Sequence, residues 1–410
     1  MSPQTILAIL LAATTFSYFF EQSLAWLNIA RPRQDIDPRV REYFDPERYA
    51  KTVSYQKDKT RLALITASLF TAANLLLLAF GTFGWLENQL AASIGSQLRR
   101  ALAFYGILYL AMDLATLPVQ IYATFRLEAR YGFNRTTPKL FIADKIKSLI
   151  LSALLGAAAI SGLVTLVQKM GPNFWIWFAA AAILFILLMN MFYTSLIVPL
   201  FNKLRPLPEG ELRNAIEAYA QTQNFRLTGI YVIDASKRSS KSNAYFSGIG
   251  PKKKIVLYDT LIEKHSIEEL VAVLAHEVGH YRHKYIIKSF IASAVQISLI
   301  LWVFSLFAAA PALSLALGAD HYALHLNLLA FAILAGPITS FSSLFSMVTS
   351  RRYEYQADAF AARTTSAAAM SSALIRLSAD NLSYLYPHPA YVFFNYSHPP
   401  LLQRLEHLGV

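Results

Sequence analysis

Cysteine is absent from the 410 residues. That excludes disulfides and thiolate metal sites, so any zinc must be held by histidine and carboxylate. Charge is sparse as well: 15% of residues are charged against 55% hydrophobic, with a mean hydropathy of +0.39. Such a chain is too apolar for an ordinary soluble protein and reads as a polytopic membrane protein. Acidic residues are the scarcer sign, 25 against 37 Lys and Arg, for a net charge of +12 and a pI near 9.6. In a membrane protein that excess marks the loops kept inside, and no nucleic-acid partner is expected. No internal repeat or low-complexity linker is evident.

Long apolar runs are what is present. A spanning helix needs about 20 mostly apolar residues, and seven stretches qualify: Ile6 to Ala30, Leu62 to Trp85, Ala101 to Ala123, Ser148 to Gln168, Asn173 to Leu200, Ser289 to Leu317 and Leu326 to Thr349. The first lacks a basic n-region and a small-residue cleavage site, so it is expected to be an uncleaved span. Glu21 and Asp113 fall inside spans and should face the protein interior or water. Arg31 to Arg61 carries nine Lys/Arg and Thr124 to Lys147 six, whereas the other short loops hold only Arg99, Arg100 and Lys169, and the sixth holds none. The expected orientation is therefore amino terminus outside and carboxyl terminus inside. Residues 201–288 and 350–410 then lie together on the cytoplasmic side as one catalytic domain, between spans one to five (1–200) and spans six and seven (289–349).

In residues 201–288, Glu209 to Phe225 reads as an amphipathic helix. Gly229 to Asp234, Ser242 to Phe246 and Lys254 to Tyr258 read as strands, the last two separated by a turn containing Gly248, Gly250 and Pro251. The segment Glu268 to Lys288 has helical apolar spacing and contains His276-Glu277-Val278-Gly279-His280. Four residues apart on a helix, His276 and His280 share a face and can reach one ion. H-E-x-x-H is the zinc metalloprotease pattern, two imidazoles on the metal and the glutamate as general base. A second carboxylate pair, Glu354 and Asp358, follows the last span at the same spacing. One of the two can ligate zinc while the other accepts a hydrogen bond from the free nitrogen of a ligand histidine. A strand ahead of the metal-binding helix can hold an extended peptide by edge addition. His283, also near the ligand face, would have to spread three residues over two turns to serve one tetrahedral ion, and His388 reads as a turn residue.

These motifs, with Ser242-Asn243-Ala244-Tyr245-Phe246, Lys253 to Leu261, Arg351 to Asp358, Ser397-His398-Pro399-Pro400 and Tyr131-Gly132-Phe133-Asn134-Arg135, resemble the type I CAAX prenyl protease family over nearly the whole chain. The resemblance implies an all-α polytopic membrane protein. Seven helices would form a hollow, water-filled chamber, with a cytoplasmic zincin-like domain carrying a small β-sheet. It implies one Zn2+ per chain, held by His276, His280 and Glu354, with Glu277 as the base and Asp358 as the carboxylate behind a ligand imidazole. Asn243 and Ala244 would lie on the substrate-aligning edge strand, and His398 would stabilise the oxyanion. The partners implied are the lipid bilayer and a peptide or protein substrate, prenylated or membrane-associated. The chain is short for a eukaryotic member and ends without a retention signal, so a bacterial inner-membrane homologue is expected. A membrane quality-control protease sharing the zinc motif and a prenyl-peptide binding chamber without catalysis are the competing readings. The seven spans count against the first, and the complete set of ligands, base and carboxylate against the second.

Overall fold

The computed structural model describes residues 1–30, 32–225, 227–247 and 253–410. Among these, six helical segments are long and apolar enough to cross a membrane. They are α1 (Pro3–Ala30), α2 (Pro46–Ala79), α4 (Gln97–Tyr122, continued by a π-helical turn to Glu128), the stretch Pro138–Phe201, α11 (Tyr285–Phe307) and α13 (Leu324–Thr364). The sequence reading divides Pro138–Phe201 at Lys169 to Asn173. There α5 (Pro138–Met170) meets α6 (Phe174–Leu196) through a tight turn, with Gly171 at φ +53°, and the two helices pack against each other. A short α7 (Val198–Phe201) follows.

Two expected spans end differently. The second is expected to run to Trp85, but α2 stops at Ala79 because Gly81, at φ +61°, turns the chain into α3 (Thr82–Ser93). The sixth is expected to run to Leu317, but α11 stops at Phe307 and a separate α12 (Pro311–Ala316) begins at a proline, which cannot donate to the preceding turn. Helix starts follow local chemistry: Asp45 caps α2 and Thr137 caps α5, each with proline as the first helical residue.

Only 6% to 11% of each apolar window is buried. A solid bundle would hide one face of every helix, so this surface faces either lipid or an internal space, as a hollow bundle requires. Asp113 on α4 does find a partner: Lys145 of α5 lies 2.5 Å away and also donates to Gln120 at 3.0 Å. At one end of the bundle α3, α12 and the start of α13 close together. There Glu87, fully buried, meets His325 at 2.7 Å, His321 at 3.2 Å and Arg100 at 3.3 Å. Glu354 lies at the other end of α13, roughly 45 Å away along the helix at 1.5 Å per residue.

At that other end sits a four-stranded sheet in the order β1-β2-β4-β3, built from β1 (Leu204–Pro206), β2 (Gly229–Ile233), β3 (Ala244–Ser247) and β4 (Lys254–Tyr258). Strands β1 and β2 are antiparallel, β2 and β4 parallel, and β3 pairs antiparallel with β4 as the terminal strand. The expected turn at Gly248, Gly250 and Pro251 lies outside the described residues. Helices α8 (Glu211–Thr222), α9 (Asp259–Ile262), α10 (Ile267–Arg282), α14 (Ala367–Asp380), α15 (Pro389–Asn395) and α16 (Leu401–His407) complete this end. Its core joins residues from 201–288 and 350–410, with Leu257, Leu270, Leu274 and Val278 packed with Ala361, Met370, Leu374 and Leu405. Helix α10 also contacts α11, α13 and α14, which ties the sheet end to the bundle.

Candidate metal centre

Helix α10 starts on a capping box: the Ser266 hydroxyl accepts from the Glu269 N–H, and the Glu269 carboxylate accepts from the Ser266 N–H. The phase set there brings His276 and His280 onto the face that meets α13. Helix α13 leaves the bundle without a break, and its last turns carry Glu354 and Asp358. Close approach of the two helices depends on Gly279, where a Cβ would stand 3.0 Å from the Ala357 Cα.

The ligand-type atoms of His276, His280 and Glu354 all lie within 4.8 Å of one another. His276 Nε2 is 3.1 Å from His280 Nε2, and the Glu354 oxygens lie 3.5 Å from the first and 3.1 Å from the second. Ligands of a tetrahedral zinc at about 2.0–2.1 Å stand about 3.3 Å apart, so the three atoms already have the spacing of such a shell. His276 Nδ1 lies 2.8 Å from Asp358 Oδ1. With the ring proton on Nδ1, beside that carboxylate, Nε2 is left as a lone pair facing another imidazole nitrogen and a carboxylate. In that tautomer acceptors converge on acceptors, and a positive charge between them, a proton or a metal ion, relieves the repulsion. Burial opposes charge on His276, but the hydrogen bonds to Asp358 and Glu354 outweigh it and push the imidazole up to about 9, so the pocket attracts positive charge. The donor set thus fits a divalent ion of the zinc type.

Glu277 follows His276 on the same turn. Burial pushes its carboxyl above the ordinary glutamate value, against the opposing charges of His276 and His280. His398 extends from the segment before α16, its side chain 65% exposed and its Nδ1 2.9 Å from Glu354 Oε2. Pro399 and Pro400 behind it are buried. Arg404 of α16 was not singled out by the sequence: it grips Asp358 with two bonds, 2.7 and 2.6 Å, and reaches Glu354 Oε2 at 3.5 Å. Nothing local in Leu401–His407 marks it, since its partners lie 46 and 50 residues earlier; a buried carboxylate in need of a counter-charge is the only signal. His283 is the C-cap of α10, stacked on Tyr285 with ring centroids 5.3 Å apart. His388 caps α15 and accepts from the Ala390 N–H at 3.2 Å.

Asn243 and Ala244 open β3 beside α10. The Asn243 carbonyl accepts from the Tyr258 N–H at 3.1 Å, which turns it toward β4. By the alternation of an antiparallel ladder, Tyr245 and Ser247 also turn to β4. The main-chain groups of Ala244 and Phe246 are left on the open edge. The Ala244 N–H is met there by the Asn243 side-chain oxygen at 2.8 Å.

Membrane-length helices joined to a domain in which two imidazoles and a carboxylate converge define a membrane metallopeptidase, and comparison with known proteins agrees. Residues 26–203 match the CAAX prenyl protease N-terminal family, five membrane helices, and residues 206–409 match peptidase family M48. The chain is 35% identical over 370 residues to a CAAX prenyl protease 1 homolog of Oryza sativa, covering 88% of this chain and 87% of the relative. It is 31% identical over 449 residues to the Homo sapiens CAAX prenyl protease 1 homolog, covering 98% and 94%. The crystal structure of S. mikatae Ste24p superposes with a TM-score of 0.93 at 30% identity, covering 99% of both chains. The chain belongs to the CAAX prenyl protease family of M48 peptidases and is an integral membrane metalloprotease.

Proposed function

We propose that the protein binds one zinc ion through His276, His280 and Glu354 and hydrolyses prenylated peptides presented at the cytoplasmic face of the membrane. The convergence of the three ligand-type atoms within 4.8 Å carries the reading. Bound there, zinc supplies a Lewis acid that polarises the scissile carbonyl and acidifies a water. Glu277 takes a proton from that water as its oxygen bonds to the carbonyl carbon, and passes it to the amine nitrogen as the C–N bond breaks. Asp358, fixed by Arg404, holds His276 with Nε2 free to ligate. His398, anchored through Nδ1 on Glu354, keeps its other ring nitrogen for the developing oxyanion. The substrate adds as a strand to the open edge at Ala244 and Phe246, with the Asn243 oxygen giving up its place on the Ala244 N–H to a peptide carbonyl.

Residues 201–288 and 350–410 act as one catalytic unit, supported by their shared core. The basic loops Arg31 to Arg61 and Thr124 to Lys147 favour the cytoplasmic side for this unit and the outside for the amino terminus. The prenyl requirement rests on the names of the relatives and on the apolar helix surface. Purified protein incubated with farnesylated and plain versions of one peptide, with fragments identified by mass spectrometry, tests it. Cleavage confined to the farnesylated peptide is the expected result, and equal cleavage of both would remove the prenyl group from the substrate description.

A further inference from the structure

The open edge of β3 does not run on indefinitely. Two residues before Ala244, Ser242 turns its main-chain N–H and C=O the same way, by the period of two in an extended chain. Both are occupied: the Asn381 side chain accepts from the Ser242 N–H at 3.1 Å and donates to the Ser242 carbonyl at 3.1 Å. A carboxamide bonded in this way stands in for one residue of a paired strand. The Asn381 backbone is held in place: its N–H caps the end of α14 on Leu377, and the next residue, Leu382, is buried among Tyr55, Tyr131 and Phe133 with its carbonyl held by Gln56 at 2.9 Å. The Ser242 hydroxyl is tied separately to the Thr260 carbonyl at 3.1 Å. Among the described residues the edge therefore has ladder groups at Ala244 and Phe246 that no neighbouring strand takes, the Ala244 N–H being met only by the Asn243 side chain, and a blocked slot at Ser242.

We propose that Asn381 closes the substrate groove, occupying the strand position beyond Ala244 and so fixing how far a bound peptide extends on that side of the scissile bond. This rests on the reading of β3 as the substrate-aligning edge. Asn381 is a specificity-determining residue that touches the groove's end and not the reacting atoms. The chemical class it selects is an extended peptide with a short chain on one side of the cleaved bond; a longer chain meets a side chain where it needs a partner strand.

The test is a peptide series with one cleavage site, lengthened residue by residue at either end, assayed on the full-length protein. Wild type should show KM rising once the chain passes a fixed length on one side. Asn381→Ala and the milder Asn381→Ser uncover the Ser242 N–H and C=O. Each should accept two further residues on that side, lowering the ratio of KM for the long peptide to KM for the short one on the order of tenfold, as two regained backbone hydrogen bonds allow. A merely structural role would weaken the fold without changing that ratio. If both variants keep the wild-type length profile while Ala244→Pro, which removes the edge N–H, raises KM, the groove-closing role is overturned and the edge-strand reading stands. If Ala244→Pro leaves KM unchanged, the edge-strand reading fails and this inference with it.

Discussion

At the scale of single residues the proposed site divides into groups assigned to hold the ion and groups assigned to move protons, and substitutions should separate them. Glu277→Ala should keep its zinc and its fold yet lose nearly all turnover, because the ligands are intact and only the proton carrier is gone; turnover within a few-fold of wild type would assign the base elsewhere. Burial raises the Glu277 carboxyl above its ordinary 4.5, and the base works only as the carboxylate. Turnover should therefore fall on the acid side as Glu277 takes up a proton; an acid limb unchanged in the residual activity of Glu277→Asp would mean that Glu277 is not the titrating group. For His398, held on Glu354 at 2.9 Å but largely in solvent, replacement by alanine should lower turnover on the order of a hundredfold, with zinc content, thermal stability and KM little changed. Early unfolding of that variant, or wild-type turnover, would leave His398 only the task of tying the carboxyl-terminal segment to the domain.

Between elements, the decisive contact is α10 against α13. Its ligand spacing was legible in the sequence, because His276 and His280, and Glu354 and Asp358, are each four apart on helices whose apolar pattern is strong. The way the two helices meet was not: Gly279 read as an unassigned position of the motif, and only the packing gives it the task of admitting Ala357. Gly279→Val should force the backbones apart, costing about 1–3 kcal/mol of stability and lowering zinc affinity through displaced ligands; a variant with wild-type zinc affinity and melting temperature would show that α13 yields freely. Other features were hidden for similar reasons. Strand β1 has three residues and ends in proline, too few for an alternating pattern. Arg404 and Asn381 find partners 46 and 139 residues away, and Glu87 meets its histidines across more than 230. Local periodicity reports helices, strands and the spacing within them, whereas long-range pairing of polar groups leaves no local trace.

As a whole, the molecule is a bundle of long apolar helices with the candidate metal centre at one end. Its orientation is testable without background, since the chain has no native cysteine. Lys51→Cys should resist an impermeant thiol reagent applied from outside and Ser93→Cys should react with it; the reverse pattern would invert the topology. What the account stands on is the metal held where α10 and α13 meet. Metal analysis of purified wild type should find one zinc per chain. In Glu354→Ala, where two neutral imidazoles lose their anionic partner, zinc should be lost together with activity while the protein stays folded. Full zinc occupancy in Glu354→Ala would contradict the ligand set and with it the mechanism.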